Sequence, residues 1–352
     1  MCSLMKGYLM HLDHNAGHRI ARRSFEDHAG ERHELNHYDL HFYEPLWADM
    51  KRRIGEADEN TIFMNLGNGV QYATHPELAV AGAWTRQRLK REIAELRDKG
   101  VTVMPKLNFS MMHSEWMGEY RQMPGTSTYY RVCRELISEV ARLFRGATHF
   151  HIGMDEEDVR FIHSFSQLGI VRQNDFLYHD LQFLFDCVRD EGMIPVMWGG
   201  LAEQKLQEFT ERIAPGDLVI MAQNAHAIER KNWTPIESEE RYKTFYTTRV
   251  PWKYMNIQYV EEDPVCACFR ENVPKLLDMG YDVIIAATDW YGYDPVASET
   301  IAHFVKNEKQ QSHIVGYAMI PWLRTYPEYH EGWMRSIDRM QEALRLHGLD
   351  KE

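Results

Sequence analysis

The sequence predicts an α/β fold, a closed (β/α)8 TIM barrel, and three observations predict it. Eight short apolar or β-branched runs recur along the chain, at 7–12, 61–66, 101–107, 148–153, 194–198, 218–222, 282–287 and 314–319. Most are continuously apolar instead of alternating, which is how parallel strands covered on both faces read. Amphipathic helical patterns lie between them, clearest at 84–99, 129–144, 175–191, 203–213 and 329–346. Finally, a glycine separates helix from strand three times, at Lys99-Gly100, Glu191-Gly192 and Met279-Gly280, as βα units with left-handed helix ends require.

The segment 84–99 shows how a helix is read. Leu89, Ile93 and Leu96 recur at spacings of four and three, while Arg86, Arg88, Lys90, Arg91 and Glu95 occupy the other face. Thr85 or a close neighbour is the expected N-cap. The 352 residues read as a single barrel domain, 1–352, with long loops after strand one (13–40) and strand six (223–266). Barrel enzymes place such insertions at their catalytic face. A doubly wound open sheet is the runner-up; it would need a phosphate-binding glycine turn. Gly67-Asn68-Gly69 lacks the third glycine and reads better as a tight turn.

Composition narrows the partners. A formal charge of −12 disfavours phosphate backbones and anionic lipid, so neither nucleic acid nor a membrane is expected as a partner. No run reaches the length that spans a bilayer. The start, MCSLMKGYLMHLDH, lacks the pattern of a cleaved secretion signal. The five cysteines, Cys2, Cys133, Cys187, Cys266 and Cys268, form no framework and read as free thiols. A cytoplasmic protein with no cofactor and no metal is the expectation; a homo-oligomer is left open, with Trp333 and Met334 as interface or core.

In a barrel, polar residues just past the C-terminal ends of the strands share one pocket. Those ends offer Asp13, His14 and Asn15; Asn65 and Asn68; Lys106 and Asn108; His151, Asp155, Glu156 and Glu157; Trp198; Gln223, Asn224 and His226; Asp289, Trp290, Tyr291, Tyr293 and Asp294; and Trp322, Arg324 and Tyr326. Carboxylates cluster after strand four, and aromatics after strands five, seven and eight. Carbohydrate pockets need this combination, because aromatic faces stack on sugar C–H faces while carboxylates and amides hold hydroxyls. In the string His149-Phe150-His151-Ile152-Gly153-Met154-Asp155-Glu156-Glu157, an apolar strand runs straight into three carboxylates. Crowding of that kind keeps one carboxyl protonated for general acid work.

At this string the sequence resembles the hexosaminidases of glycoside hydrolase family 20, whose fourth strand ends in His-x-Gly-Gly-Asp-Glu. His151-Ile152-Gly153-Met154-Asp155-Glu156 matches apart from Met154. Met104-Pro105-Lys106, Trp198, Tyr291, Tyr293-Asp294 and Trp322 fall where that family has its strand-three proline segment, strand-five tryptophan, strand-seven Tyr-x-Asp and strand-eight tryptophan. The resemblance implies a retaining, substrate-assisted glycosidase. In it Glu156 would be the general acid/base, Asp155 would orient the substrate's 2-acetamido group, and Tyr293 would hold its oxygen. Asp13, His14, Asn108, His151, Trp198, Asn224, Asp289, Trp290, Tyr291, Asp294 and Trp322 would bind the sugar. The family's strand-one arginine has no counterpart near Lys6, and Leu323 and Arg324 stand where a glutamate is expected after the strand-eight tryptophan.

Two other readings compete. His11-Leu12-Asp13-His14, joined by His151 or Asp155, would seed a metal site in a metal-dependent barrel hydrolase or isomerase. The same barrel would also serve as a non-catalytic carbohydrate-binding module.

Overall fold

In the computed structural model, residues 4–13, 25–26, 32–33, 39–57, 60–155, 157, 172–224, 264–288, 296–305 and 308–350 are described. Eight parallel strands close into a barrel in chain order, with β1 hydrogen-bonded to both β2 and β8. They are β1 (Met5–His11), β2 (Thr61–Asn65), β3 (Thr102–Lys106), β4 (His149–His151), β5 (Ile194–Trp198), β6 (Val219–Asn224), β7 (Asp282–Thr288) and β8 (Ile314–Ile320). Every predicted strand is present, its ends within two residues of those expected. A two-residue antiparallel ladder, Phe25–Glu26 with Arg32–His33, lies in the connection after β1.

The helices are α1 (Glu44–Glu56), α2 (Arg86–Asp98), α3 (Ser127–Leu143), α4 (Asn174–Asp190), α5 (Gly200–Gln204), α6 (Leu206–Arg212), α7 (Pro264–Asp278), α8 (Val296–Val305), α9 (Glu308–Gln311) and α10 (His330–Leu346). Thr85 caps α2 as predicted, its side chain accepting from the Arg88 amide at 3.1 Å, a contact worth about 1 kcal/mol. Thr126 caps α3 in the same way at 3.2 Å. Gly100, Gly192 and Gly280 all adopt positive φ, as the helix–glycine–strand pattern requires. Trp333 is wholly buried in α10 and belongs to the core. None of the described helices is long and apolar enough to cross a membrane.

Two apolar layers result. Tyr8, Met10, Ile62, Met64, Val103, Ile220 and Ile285 point outward and pack on the helices, whereas Leu9, Phe63, Met104, Val196, Met221, Ile284 and Ala318 fill the barrel interior. Strand period two makes this separation, and it decides which polar residues can reach the mouth.

The predicted helix 203–213 is two helices, because Lys205 leaves helical geometry at φ −122°, ψ 44°. Glu203 lies one turn after Gly199 in α5, its amide donating to the Gly199 carbonyl, and a Cβ on Gly199 would lie 2.3 Å from its Oε1. Glu203 is buried, Oε1 has no hydrogen-bond partner, and burial pushes the carboxyl up to about 8. Below the ordinary carboxylate range both states are protonated and nothing is lost. As pH rises toward about 8, the unfolded chain ionises while the fold keeps its proton, so stability falls by about 1.4 kcal/mol per unit. Glu203→Gln is expected to flatten that decline. Urea denaturation of both proteins between pH 5 and 8 checks it, and parallel stability profiles would refute it.

Candidate active site

The strand registers align one polar level across half of the barrel. His11 pairs with Asn65, Asn65 with Lys106, Lys106 with His151, and His151 with the apolar Val196. All four polar side chains are at most 2% exposed. Two residues further along each strand, large and small alternate: Asp13 beside Gly67, and Asn108 beside Gly153. A Cβ on Gly67 would lie 2.5 Å from the Asp13 Cβ, and one on Gly153 would lie 1.9 Å from Asn108 Oδ1. These glycines, both at positive φ, give the neighbouring polar side chains room to lie across the mouth.

Asp155 stands at the rim. Asn108 Nδ2 donates to its Oδ1 at 2.9 Å, and His113 Nε2 lies 3.3 Å from its Oδ2. Ser110 Oγ donates to its backbone carbonyl. The preceding turn is strained. Gly153 has φ 78°, and Met154 has φ 66° where the family pattern has a second glycine. A non-glycine residue there costs about 1–2 kcal/mol. The buried Met154 side chain offsets this in part by packing, with its sulfur 3.7 Å from Arg172 Nη2.

Across the mouth, Asn65 Nδ2 donates to Asp13 Oδ2 at 2.8 Å and contacts His11 Nδ1 at 3.2 Å. His11 stacks on Trp322, their centroids 5.0 Å apart, and Trp322 lies 6.2 Å from Trp198. Trp322, like Met154, holds a left-handed backbone, with φ 53°. Trp198 meets the His151 ring edge-on at 4.8 Å, and the Lys106 ammonium sits 5.5 Å from its centroid. Burial pushes the His11 and His151 pKa values well down, and the Lys106 charge adds to the effect. Burial also lowers Lys106, opposed by the charges of Asp155 and Asp13.

The structure therefore brings Asp13, Asn108, His151, Asp155, Trp198 and Trp322 together at one barrel mouth. It does not bring Asn224 there. Asn224 shares the outward side of β6 with Ile220 and Ala222, and its amide donates to Thr300 Oγ1 on α8 at 2.9 Å. Its neighbour Gln223 has the inward register and donates to Thr288 Oγ1 at 2.8 Å. The third carboxylate, Glu157, is likewise occupied. Its Oε1 accepts from Arg172 Nη2 at 2.5 Å and from the Met111 amide at 2.8 Å, away from Asp155. His14, Glu156, Asp289, Trp290, Tyr291, Tyr293 and Asp294 lie outside the described residues, as does the loop 227–262.

His11, Asn65 and Lys106 form its floor: the sequence offers Asn65 and Lys106 at their strand ends and His11 only in the metal reading, and none of the three is among the expected sugar-binding residues. The signal was present, since each is a polar residue inside a run of apolar strand residues at interior register. Among the described residues, no group of three or more His, Cys, Asp or Glu side chains is placed to hold a metal ion.

The fold and site define a class, a (β/α)8 barrel whose C-terminal mouth joins a fixed carboxylate to amides, imidazoles and two neighbouring tryptophans. No protein-family model matches the sequence, and comparison with curated proteins finds no match. Solved structures do match in fold. The family 20 exo-β-N-acetylglucosaminidase of Vibrio harveyi, in complex with N-acetylglucosamine, is similar with a TM-score of 0.57 at 12% identity, over 87% of this chain and 52% of that one. The β-N-acetylhexosaminidase of Bacteroides fragilis gives 0.56 at 11% identity, over 96% and 65%. A structure of the tandem family 20 catalytic modules of the pneumococcal exo-β-D-N-acetylglucosaminidase gives 0.52 at 12%, over 97% and 83%. The chain spans about half the length of the Vibrio harveyi enzyme. The likeness is one of fold, a (β/α)8 barrel shared with these enzymes at low identity.

Proposed function

We propose that this barrel mouth hydrolyses glycosides, and that the sugar it cleaves carries a 2-acetamido group. The supporting observation is Asp155. It is a carboxylate at the end of β4, fixed by Asn108 and His113, and it shares the mouth with the tryptophans of β5 and β8. The next residue, Glu156, is the general acid/base of the reading. In the first step the acetamido carbonyl oxygen attacks the anomeric carbon. The glycosidic C–O bond breaks, and Glu156 gives its proton to the departing oxygen. Asp155 accepts the acetamido N–H and balances the positive charge of the cyclic intermediate. Tyr293 holds the acetamido oxygen. Glu156 then takes a proton from water, which opens the intermediate at the anomeric carbon with retained configuration.

Trp198 and Trp322 would carry the sugar's apolar face, with Asp13, Asn108 and His151 on its polar groups. His14, Asp289, Trp290, Tyr291 and Asp294 complete the proposed pocket. Asn224 is not part of it.

Turnover of a panel of nitrophenyl glycosides, acetamido and plain, by wild type and Glu156→Gln tests the reading. Hydrolysis confined to acetamido sugars, with kcat lowered at least about a hundredfold in the variant, is expected. Hydrolysis of plain hexosides alone would keep a glycosidase and remove the acetamido mechanism. Undiminished turnover by the variant would remove Glu156 from its role.

A further inference from the structure

On three adjacent strands, the floor of the mouth carries hydrogen-bond donors that no described residue satisfies. Lys106 on β3 is 1% exposed, and its ammonium makes no hydrogen bond or ion pair with a described residue. His151 on β4 accepts from the Gly153 amide at Nδ1, 2.9 Å away. Its burial-lowered pKa makes the ring neutral, so its proton sits on Nε2, which is buried and without a partner. Trp198 on β5 has a buried Nε1–H that is likewise without a partner. The three side chains touch in sequence, Lys106 over Trp198 and Trp198 against His151.

A buried donor left unsatisfied costs about 1–3 kcal/mol, more when charged, so three together mark a place where a ligand supplies acceptors. Neither neighbouring carboxylate does so. Asp13 is held by Asn65 and Asp155 by Asn108 and His113. Both attract Lys106 through space without pairing with it. A sugar hydroxyl both gives and accepts; these three groups only give, and Asn65 Oδ1, a buried acceptor also without a described partner, lies on β2 beyond Lys106. The complement of the three is a group that accepts several hydrogen bonds and donates none.

The geometry points to an anionic substituent on the bound sugar, a carboxylate or a sulfate ester, received by Lys106 Nζ, His151 Nε2 and Trp198 Nε1. The inference rests on the reading of the mouth as a sugar site and narrows its substrate class to acidic glycosides. A chain with a formal charge of −12 has little general attraction for anions, so such a preference requires a local cation of this kind.

The test is a binding measurement, which does not depend on turnover. Calorimetric titration compares glucuronate with glucose, and N-acetylglucosamine 6-sulfate with N-acetylglucosamine, on wild type, Lys106→Met and Lys106→Arg. At least one charged sugar is expected to bind wild type about tenfold or more tighter than its neutral twin, and which pair shows this separates carboxylate from sulfate. The preference is expected to vanish in Lys106→Met and to persist in Lys106→Arg, which keeps the charge should the methionine variant fail to fold. Equal or tighter binding of both neutral sugars, or an unchanged preference in Lys106→Met, overturns the inference. Anion preference without hydrolysis of any panel glycoside, or of nitrophenyl glucuronide and 6-sulfated N-acetylglucosaminide added to the panel, would sink the hydrolase reading alone. Hydrolysis without anion preference would sink this one alone.

Discussion

Arg172→Met is expected to destabilise the protein by about 3–5 kcal/mol, the cost of leaving buried charge uncompensated. The guanidinium is wholly buried. Nη2 donates to Glu157 Oε1 at 2.5 Å and to the Phe109 carbonyl at 2.6 Å, while Nη1 donates to Asp180 Oδ2 at 3.2 Å. Glu157 and Asp180 are themselves 3% and 1% exposed at the side chain. Methionine fills the volume but leaves both carboxylates in a dry site with one strong donor fewer. The same guanidinium also clamps the strand ends beneath the site. It ties the β3 exit at Phe109 to Glu157 and contacts Met154, the residue before Asp155. Denaturant unfolding reads the effect. Adding Glu157→Gln and Asp180→Asn to Arg172→Met is expected to recover part of the loss, because the charges are then removed together. A single-variant loss below about 1 kcal/mol would place the pair in the range of solvated ion pairs and overturn the desolvation argument.

This network also shows where sequence reading stops. The strands were legible because a parallel strand covered on both faces writes itself as an apolar run, and all eight runs became barrel strands. α1 was missed although Leu46, Trp47, Met50 and Ile54 lie on one face; its segment followed a stretch assigned to a loop. α7 carries Pro274 in its interior, which disguises its period. The strand ends named the right mouth but not the side of the wall. Val219, Met221 and Gln223 alternate with Ile220, Ala222 and Asn224, so Gln223 and Asn224 had to face opposite ways, but with both sets apolar only the structure shows that Gln223 faces in. Glu157 is different in kind. Nothing in its own string announces Arg172, 15 positions on, as its partner. Three consecutive carboxylates therefore read as one functional cluster, although Glu157 is spoken for by the fold. Met154 departs from the glycine of the family pattern by one side chain and still keeps the left-handed turn. Such a compromise is visible only once the backbone is in hand.

Asp155→Asn is expected to lower kcat on an acetamido glycoside about a hundred- to a thousandfold while leaving KM nearly unchanged. That is the range for removing one preorganised group from a developing charge. The substitution is close to isosteric. An asparagine carbonyl can still accept from Asn108 Nδ2, and the Ser110 contact is to the backbone, so position and fold are retained. What disappears is one negative charge beside the atom where the proposed mechanism creates a positive one. That charge exists in the intermediate and the transition states flanking it, not in the bound substrate, so its loss belongs in kcat. Steady-state kinetics with a melting curve for each protein separates the cases. An unchanged kcat would remove Asp155 from the chemistry and leave it a polar wall residue. A loss confined to KM would make it a group that grips the ground state. In that event the acetamido oxygen would have no claim to be the nucleophile here, and a second carboxylate at the mouth would have to take that part.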